Sequence, residues 1–232
     1  MNTIRIAAAV STVAMPAKHR MFPWAAMLLI IATTAKADYY NHPAWQDNPY
    51  FTHQTWQFGS QASPVNADID LNPFGEPRLG IHGDNIRWSE YELPREGVWT
   101  IEQGWAQIEG IIYNEENEDL SKEIWIQATL HTNIRGGVPI DILFEFPDGT
   151  YTVTPMDSSV IVAPDGWLYQ TYLFDLTPQP HWEVVGLNFS LPTGAYAAID
   201  RLDIDTRCIP EPATMLILGL ASLALLRNPR LR

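Results

Sequence analysis

The chain has 232 residues, with 27 Asp and Glu against 14 Lys and Arg, and a formal net charge of −13 at pH 7. A field of that sign repels nucleic acid and anionic lipid, which excludes nucleic acid as a partner. The single cysteine, Cys208, excludes an intrachain disulfide, so the fold is expected to rest on its hydrophobic core.

In chain order, the first 37 residues contain no Asp or Glu. Lys18, His19 and Arg20 precede the apolar stretch Met21 to Ala32, and Ala35-Lys36-Ala37 supplies a small-x-small cleavage site before Asp38. This order predicts a secretory signal peptide over 1–37 that engages the Sec export machinery. Met15 and Met21 are alternative start positions.

Residues 38–207 then form one domain of about 170 residues. They hold 26 acidic and 7 basic residues, a net charge of −19. No helical periodicity of useful length is present, and short runs of β-formers alternate with turn residues. Strands are predicted at Gln54–Phe58, Arg78–His82, Val98–Ile101, Gln107–Tyr113, Glu123–His131, Ile140–Phe146, Tyr151–Thr154, Ser159–Ala163, Trp167–Asp175, Glu183–Ser190 and Arg201–Arg207. Turn signals fall at Asn72-Pro73, Gly136-Gly137, Pro147-Asp148-Gly149, Pro164-Asp165-Gly166 and Pro192-Thr193-Gly194. The expected fold is all-β, a sandwich or jelly roll.

Alternation along the longest predicted strand puts Ile124, Ile126, Ala128 and Leu130 on one face. Glu123, Trp125, Gln127, Thr129 and His131 take the other, and Trp167 and Tyr169 follow the same pattern nearby. Gln107, Glu109 and Tyr113 likewise oppose Ile108 and Ile112. A face of Trp, Tyr, Gln, Glu and His is a candidate glycan surface, because a ring packs on a sugar's CH face while amides and carboxylates bond its hydroxyls. The residues assigned to it are Glu123, Trp125, Gln127, His131, Trp167 and Tyr169.

Two acidic knots are candidates for calcium, a hard cation that takes oxygen ligands. Asp68 and Asp70 lie early in the domain, and Asp203 and Asp205 on its last strand, with first and last strands expected as neighbours. No cofactor is otherwise required by the sequence. No Gly-x-Ser-x-Gly elbow and no His-Glu-x-x-His appears. A glycan hydrolase would need two carboxylates across a cleft, for which Glu109, Glu123 and Glu145 are candidates. The expectation is therefore a binding or structural domain, with a glycoside hydrolase as the alternative.

The last segment, 208–232, reads Pro210-Glu211-Pro212, a charge-free run from Ala213 to Leu226, and a basic end of Arg227, Arg230 and Arg232. Fourteen helical residues reach only roughly 21 Å, short of a bilayer core of about 30 Å. The arginines are expected on the cytoplasmic side, with the proline triplet at the outer face. Triplet, helix and basic end resemble the PEP-CTERM sorting signal, also called an ice-binding protein C-terminal domain. That resemblance implies processing by an exosortase, a membrane-embedded cysteine transpeptidase of exopolysaccharide-producing Gram-negative bacteria. It also implies transient membrane insertion and delivery to the cell envelope or extracellular matrix, with exopolysaccharide or another glycan as a partner.

Trp99 ahead of Tyr113-Asn114, Lys122-Glu123-Ile124-Trp125 opening a long strand, and Ile199 to Thr206 leading to the tail resemble lectin-like domains that often precede this signal. Ice binding is the remaining alternative, but Thr100, Thr129, Thr152, Thr154 and Thr171 form no sustained Thr-x-Thr array.

Overall fold

The computed structural model describes residues 43–45, 51–92, 94–115, 120–146, 149–180 and 182–210. The chain divides into two compact units, Met1–Tyr39 and Tyr40–Arg232, and the described residues all belong to the second. The expected signal helix with Ala35, Ala37 and Asp38 lies outside the described residues. So does the tail helix with Glu211, Pro212, Arg227, Arg230 and Arg232. Among the described residues no helix is long and apolar enough to cross a membrane.

Every regular element among the described residues is a β-strand. The strands are β1 (Phe51–Trp56), β2 (Val65–Asn66), β3 (Ile69–Asp70), β4 (Arg78–Gly83), β5 (Ile86–Glu92), β6 (Arg95–Tyr113), β7 (Leu120–Thr132), β8 (Ile140–Phe146), β9 (Gly149–Thr152), β10 (Asp157–Val162), β11 (Leu168–Leu176) and β12 (Trp182–Pro210). All pair antiparallel. This is the all-β class that short runs of β-branched and aromatic residues favour.

Two long strands, β6 and β12, carry the chain through both layers of a sandwich. The first part of β12 lies between β6 and β8, giving a first sheet in the order β9-β8-β12-β6-β4-β2. Its last part lies between β7 and β1, giving a second sheet in the order β10-β11-β7-β12-β1-β3. The start of β6 pairs with β5 and with Tyr196 to Ile199 of β12 at the junction.

The sequence signals at Pro192-Thr193-Gly194 predict a turn between two strands. Instead they form a corner inside one strand: the register jumps from Leu191 to Tyr196, opposite Gln103 and Gly104. Gln103, Gly104 and Gly194 adopt φ of 39°, 85° and 80°, a region that favours glycine. An irregularity of this kind sharpens the local bend, which lets one strand serve two sheets. Turn chemistry here redirects the chain without reversing it.

The inner faces of the two sheets share one core. Leu79, Ile108, Ile112, Phe144, Val185, Leu187 and Phe189 come from the first sheet. Trp56, Phe174, Leu202 and Ile204 come from the second, together with the predicted inward row Ile124, Ile126, Ala128 and Leu130, which is fully buried. Each large side chain removed from water in this way stabilises by about 1.5–3 kcal/mol.

At its end β12 runs past position 207, with Ile209 opposite Ser121 and Pro210 opposite Leu120. Cys208, the first residue of the segment assigned by sequence to the tail, is instead a buried strand residue opposite Lys122. Burial pushes its thiol pKa up, which disfavours the reactive thiolate.

Candidate functional site: two polar faces of the sandwich

The six residues predicted to form a glycan face do share one side of the second sheet. Glu123, Trp125, Gln127 and His131 follow one another along β7, Tyr169 of β11 sits opposite Thr129, and the rings of Trp167 and His131 are 5.4 Å apart. What alternation does not reveal is that most of this side is covered. Gln127 and Trp167 have no exposure and Tyr169 has 6%.

Part of the cover is identifiable. Arg95, at the start of β6, places its guanidinium 4.7 Å from the Trp167 ring centre while pairing with Asp200 and lying 3.6 Å from Asp165. A ring capped by a guanidinium on that side has no room there for a sugar. Glu123 is likewise engaged, 2.8 Å from Arg207, whose guanidinium lies 5.1 Å from the ring of Trp45.

The first and last strands are neighbours, β1 against β12, but β1 itself separates the two acidic knots. Asp70 is opposite Gln54 on one side of β1, and Asp203 and Asp205 are opposite Thr55 and His53 on the other. Their carboxylates are engaged within the protein. Asp68 accepts from the Gln57 amide at 2.6 Å and Asp70 from the Asn72 amide at 2.9 Å. Arg201 forks onto Asp203 at 2.8 to 3.0 Å, the Thr55 hydroxyl donates to Asp203 at 2.7 Å, and His53 Nδ1 donates to Asp205 at 2.7 Å. Burial raises the pKa of Asp203, against the opposing pull of Arg201 and Thr55. Among the described residues no group of three or more His, Cys, Asp or Glu converges on a possible metal position.

Three polar atoms along β7 are buried without a hydrogen-bond partner: Trp125 Nε1, Thr129 Oγ1 and His131 Nδ1. Such atoms cost free energy unless something satisfies them, and they lie on the predicted face.

The outer side of the first sheet is open. Trp105, Gln107, Glu109, Ile111 and Tyr113 alternate outward along β6, and Trp105 and Tyr113 are 44% and 36% exposed. Gln107 has His82 on one side and Asn188 on the other, and Glu109 lies between Gly80 and Gly186. The two glycines leave the middle of the face low, because a side chain at Gly80 would meet His82 and one at Gly186 would meet Gln107. His82 Nε2 is 3.3 Å from Glu109 Oε1. The outward parity of Gln107, Glu109 and Tyr113 is readable in the sequence; Trp105 shares that parity on β6 but precedes the predicted strand, and His82 and Asn188 join them only through strand register.

Of the carboxylates considered for hydrolysis, Glu109 and Glu145 lie on this open side. Glu145 is opposite Val184 and Glu109 opposite Gly186. Glu123 is on the other sheet's outer side, so it shares a cleft with neither.

Comparisons with known proteins bear on the tail and on the fold. Residues 209–230 match the model of the PEP-CTERM protein-sorting motif. No curated protein matches the chain. Among solved structures, a carbohydrate-binding module studied for specific mannan recognition, TmCBM27, is similar at 11% identity and a TM-score of 0.32, over 68% of this chain and 98% of that one. The CBM22-1 xylan-binding domain from Paenibacillus barcinonensis Xyn10C is similar at 10% identity and a TM-score of 0.36, over 68% and 94%. The enzymatically active domain of bacteriophage CBA120 tailspike protein 4 is similar at 11% identity and a TM-score of 0.24, over 71% and 21%.

Proposed function

We propose that this is an exported surface or matrix protein, handed to the cell envelope by an exosortase and carrying a non-enzymatic β-sandwich that holds a neutral glycan. Delivery is supported by the sorting motif at 209–230. Glycan binding is supported by one observation above others, the open face of the first sheet, where exposed Trp105 and Tyr113 bracket Gln107, Glu109, His82 and Asn188. Rings at the ends stack on sugar CH faces, and the polar side chains between them bond hydroxyls. The net −19 of residues 38–207 disfavours a polyanionic glycan.

A second placement is favoured by the three unpartnered polar atoms of β7, which a glycan hydroxyl would satisfy if the cover over that side moved. One experiment separates the two. Binding of the full chain to the host's exopolysaccharide is measured for wild type, Trp105→Ala and Trp125→Ala. The expected result is a loss of roughly threefold to tenfold for Trp105→Ala, the size of one stacking contact, with Trp125→Ala binding like wild type. The opposite pattern moves the site to β7, and no binding by wild type leaves a structural domain.

Sorting has its own test. Glu211→Ala is expected to leave precursor, C-terminal segment attached, in the cytoplasmic membrane of a host that carries the exosortase. Immunoblots of membrane and surface fractions read the outcome, and processing at the wild-type level overturns the assignment.

A further inference from the structure

Three polar side chains are buried together at the end of the sandwich, away from both faces. Lys122 of β7 and Glu183 of β12 have no solvent exposure, and Asn114, just after β6, has 7%. Alternation turns two of them inward: Lys122 shares its side of β7 with Ile124 and Ile126, and Glu183 shares its side of β12 with Val185 and Leu187.

Their geometry is specific. Lys122 Nζ is 2.5 Å from Glu183 Oε1 and is in contact with Asn114 Oδ1. Asn114 Nδ2 donates to Glu183 Oε2 at 2.5 Å and to the Pro180 carbonyl at 2.7 Å. The lysine nitrogen therefore lies against the carboxamide, and the two oxygens of one carboxylate touch the two nitrogens. A simple ion pair is a poor reason to keep these groups, because desolvating two charges offsets most of their attraction. A reaction that removes both charges and leaves a bond accounts for all three residues.

We propose that Lys122 and Asn114 condense into an intramolecular isopeptide bond, with Glu183 as the catalytic acid and base. Glu183 Oε1 takes a proton from the lysine ammonium, and the freed amine attacks Asn114 Cγ, forming the Nζ–Cγ bond. Glu183 delivers its proton to Nδ2 and receives a second one from Nζ. The Cγ–Nδ2 bond breaks and ammonia leaves.

Of the three ammonium protons, one departs in ammonia, one ends on Glu183 and one stays on the new amide. Net charge is zero before and after, and no oxidant or other reactant is required. The product buries an amide and a neutral carboxylic acid where two charges stood, which favours it in a core. Packing supplies the alignment that makes so sluggish an attack feasible.

The bond would fasten the end of β6 in the first sheet to the start of β7 in the second. Lys122 is also opposite Cys208 on the strand that enters the sorting motif. A redox-independent link would thus sit where the exported domain joins its tail, in a chain that has no second cysteine.

The test is peptide mass spectrometry on the purified full chain, cut by proteases that act after Glu or before Asp. Glu115, Glu116, Glu118 and Asp119 all lie between Asn114 and Lys122. The fragments on either side are expected to stay tethered, with a combined mass about 17 Da below their sum, the mass of ammonia. Trypsin is expected not to cut after Lys122. Glu183→Gln should lower the tethered fraction at least about tenfold, and Lys122→Met should abolish it. Wild-type fragments that separate at full mass overturn the proposal, as does a deficit confined to the Asn114 fragment with no tether, which marks a cyclic imide. Because the wild-type fragments alone decide between these outcomes, a variant that fails to fold leaves the test intact.

Discussion

Replacing Trp56 with alanine is expected to destabilise the domain by about 3–5 kcal/mol, the range for large aromatic truncations in a core. Trp56 has no solvent exposure. It belongs to β1 in the second sheet, yet its ring reaches close enough that a side chain at Gly110, on β6 in the first sheet, would sit 3.8 Å from it. The indole thus spans the gap between the layers, where Ala leaves a hole that neither sheet can close alone. Against a typical total of about 5–15 kcal/mol, this loss is about a fifth of the stability or more. Equilibrium urea unfolding measures it: the midpoint is expected to fall with the slope unchanged. A loss under about 1 kcal/mol would mean that the layers collapse onto each other and that the packing between them is loose.

Much of this core is legible in the sequence, and the reason is parity. The alternation of Ile124, Ile126, Ala128 and Leu130 identifies the inner side of β7, and all four are buried. Ile140–Phe146 also reads with its observed limits. Strand continuity is harder. Pro192 and Gly194 signal a break in any local reading, and only pairing with the irregular Gln103-Gly104 stretch turns that break into a corner. β5 escapes a sequence reading because Ile86 to Glu92 mixes apolar and charged residues without clean alternation, and it is held by its partner β6.

Exposure is less legible than direction. Parity alone puts Trp167 and Tyr169 on the outer side of their sheet, but it carries no information about Arg95, which arrives from another strand to cover Trp167. The open face is half readable for the same reason: Gln107 and Glu109 share a strand with Trp105, whereas His82 and Asn188 are contributed by neighbours. The buried cluster has a local signal that could have revealed it. Lys122 and Glu183 are charges at positions whose parity is apolar, and a charge at an inward position calls for a partner across the core. Asn114 carries no such mark, and its place depends on three elements meeting.

The cluster around Arg95 yields the second large effect. Arg95→Met keeps a long side chain against Trp167 but removes the cation from Asp200 and Asp165. The Arg95 side chain is 10% exposed, and those of Asp165 and Asp200 are 7% and 10%. Deleting one member of a buried charge cluster strands the others, and the expected cost is about 3–5 kcal/mol. Truncating the stack alone would cost far less, about 0.5–2 kcal/mol, so the size of the loss says which interaction matters. Pairing Arg95→Met with Asp200→Asn is the discriminating measurement. If stranded charge dominates, the double variant is more stable than Arg95→Met alone, and the two changes are strongly non-additive in thermal unfolding. If the changes simply add, Arg95 acts through packing on Trp167, and the charges around it contribute little to holding the β6 start against the second sheet.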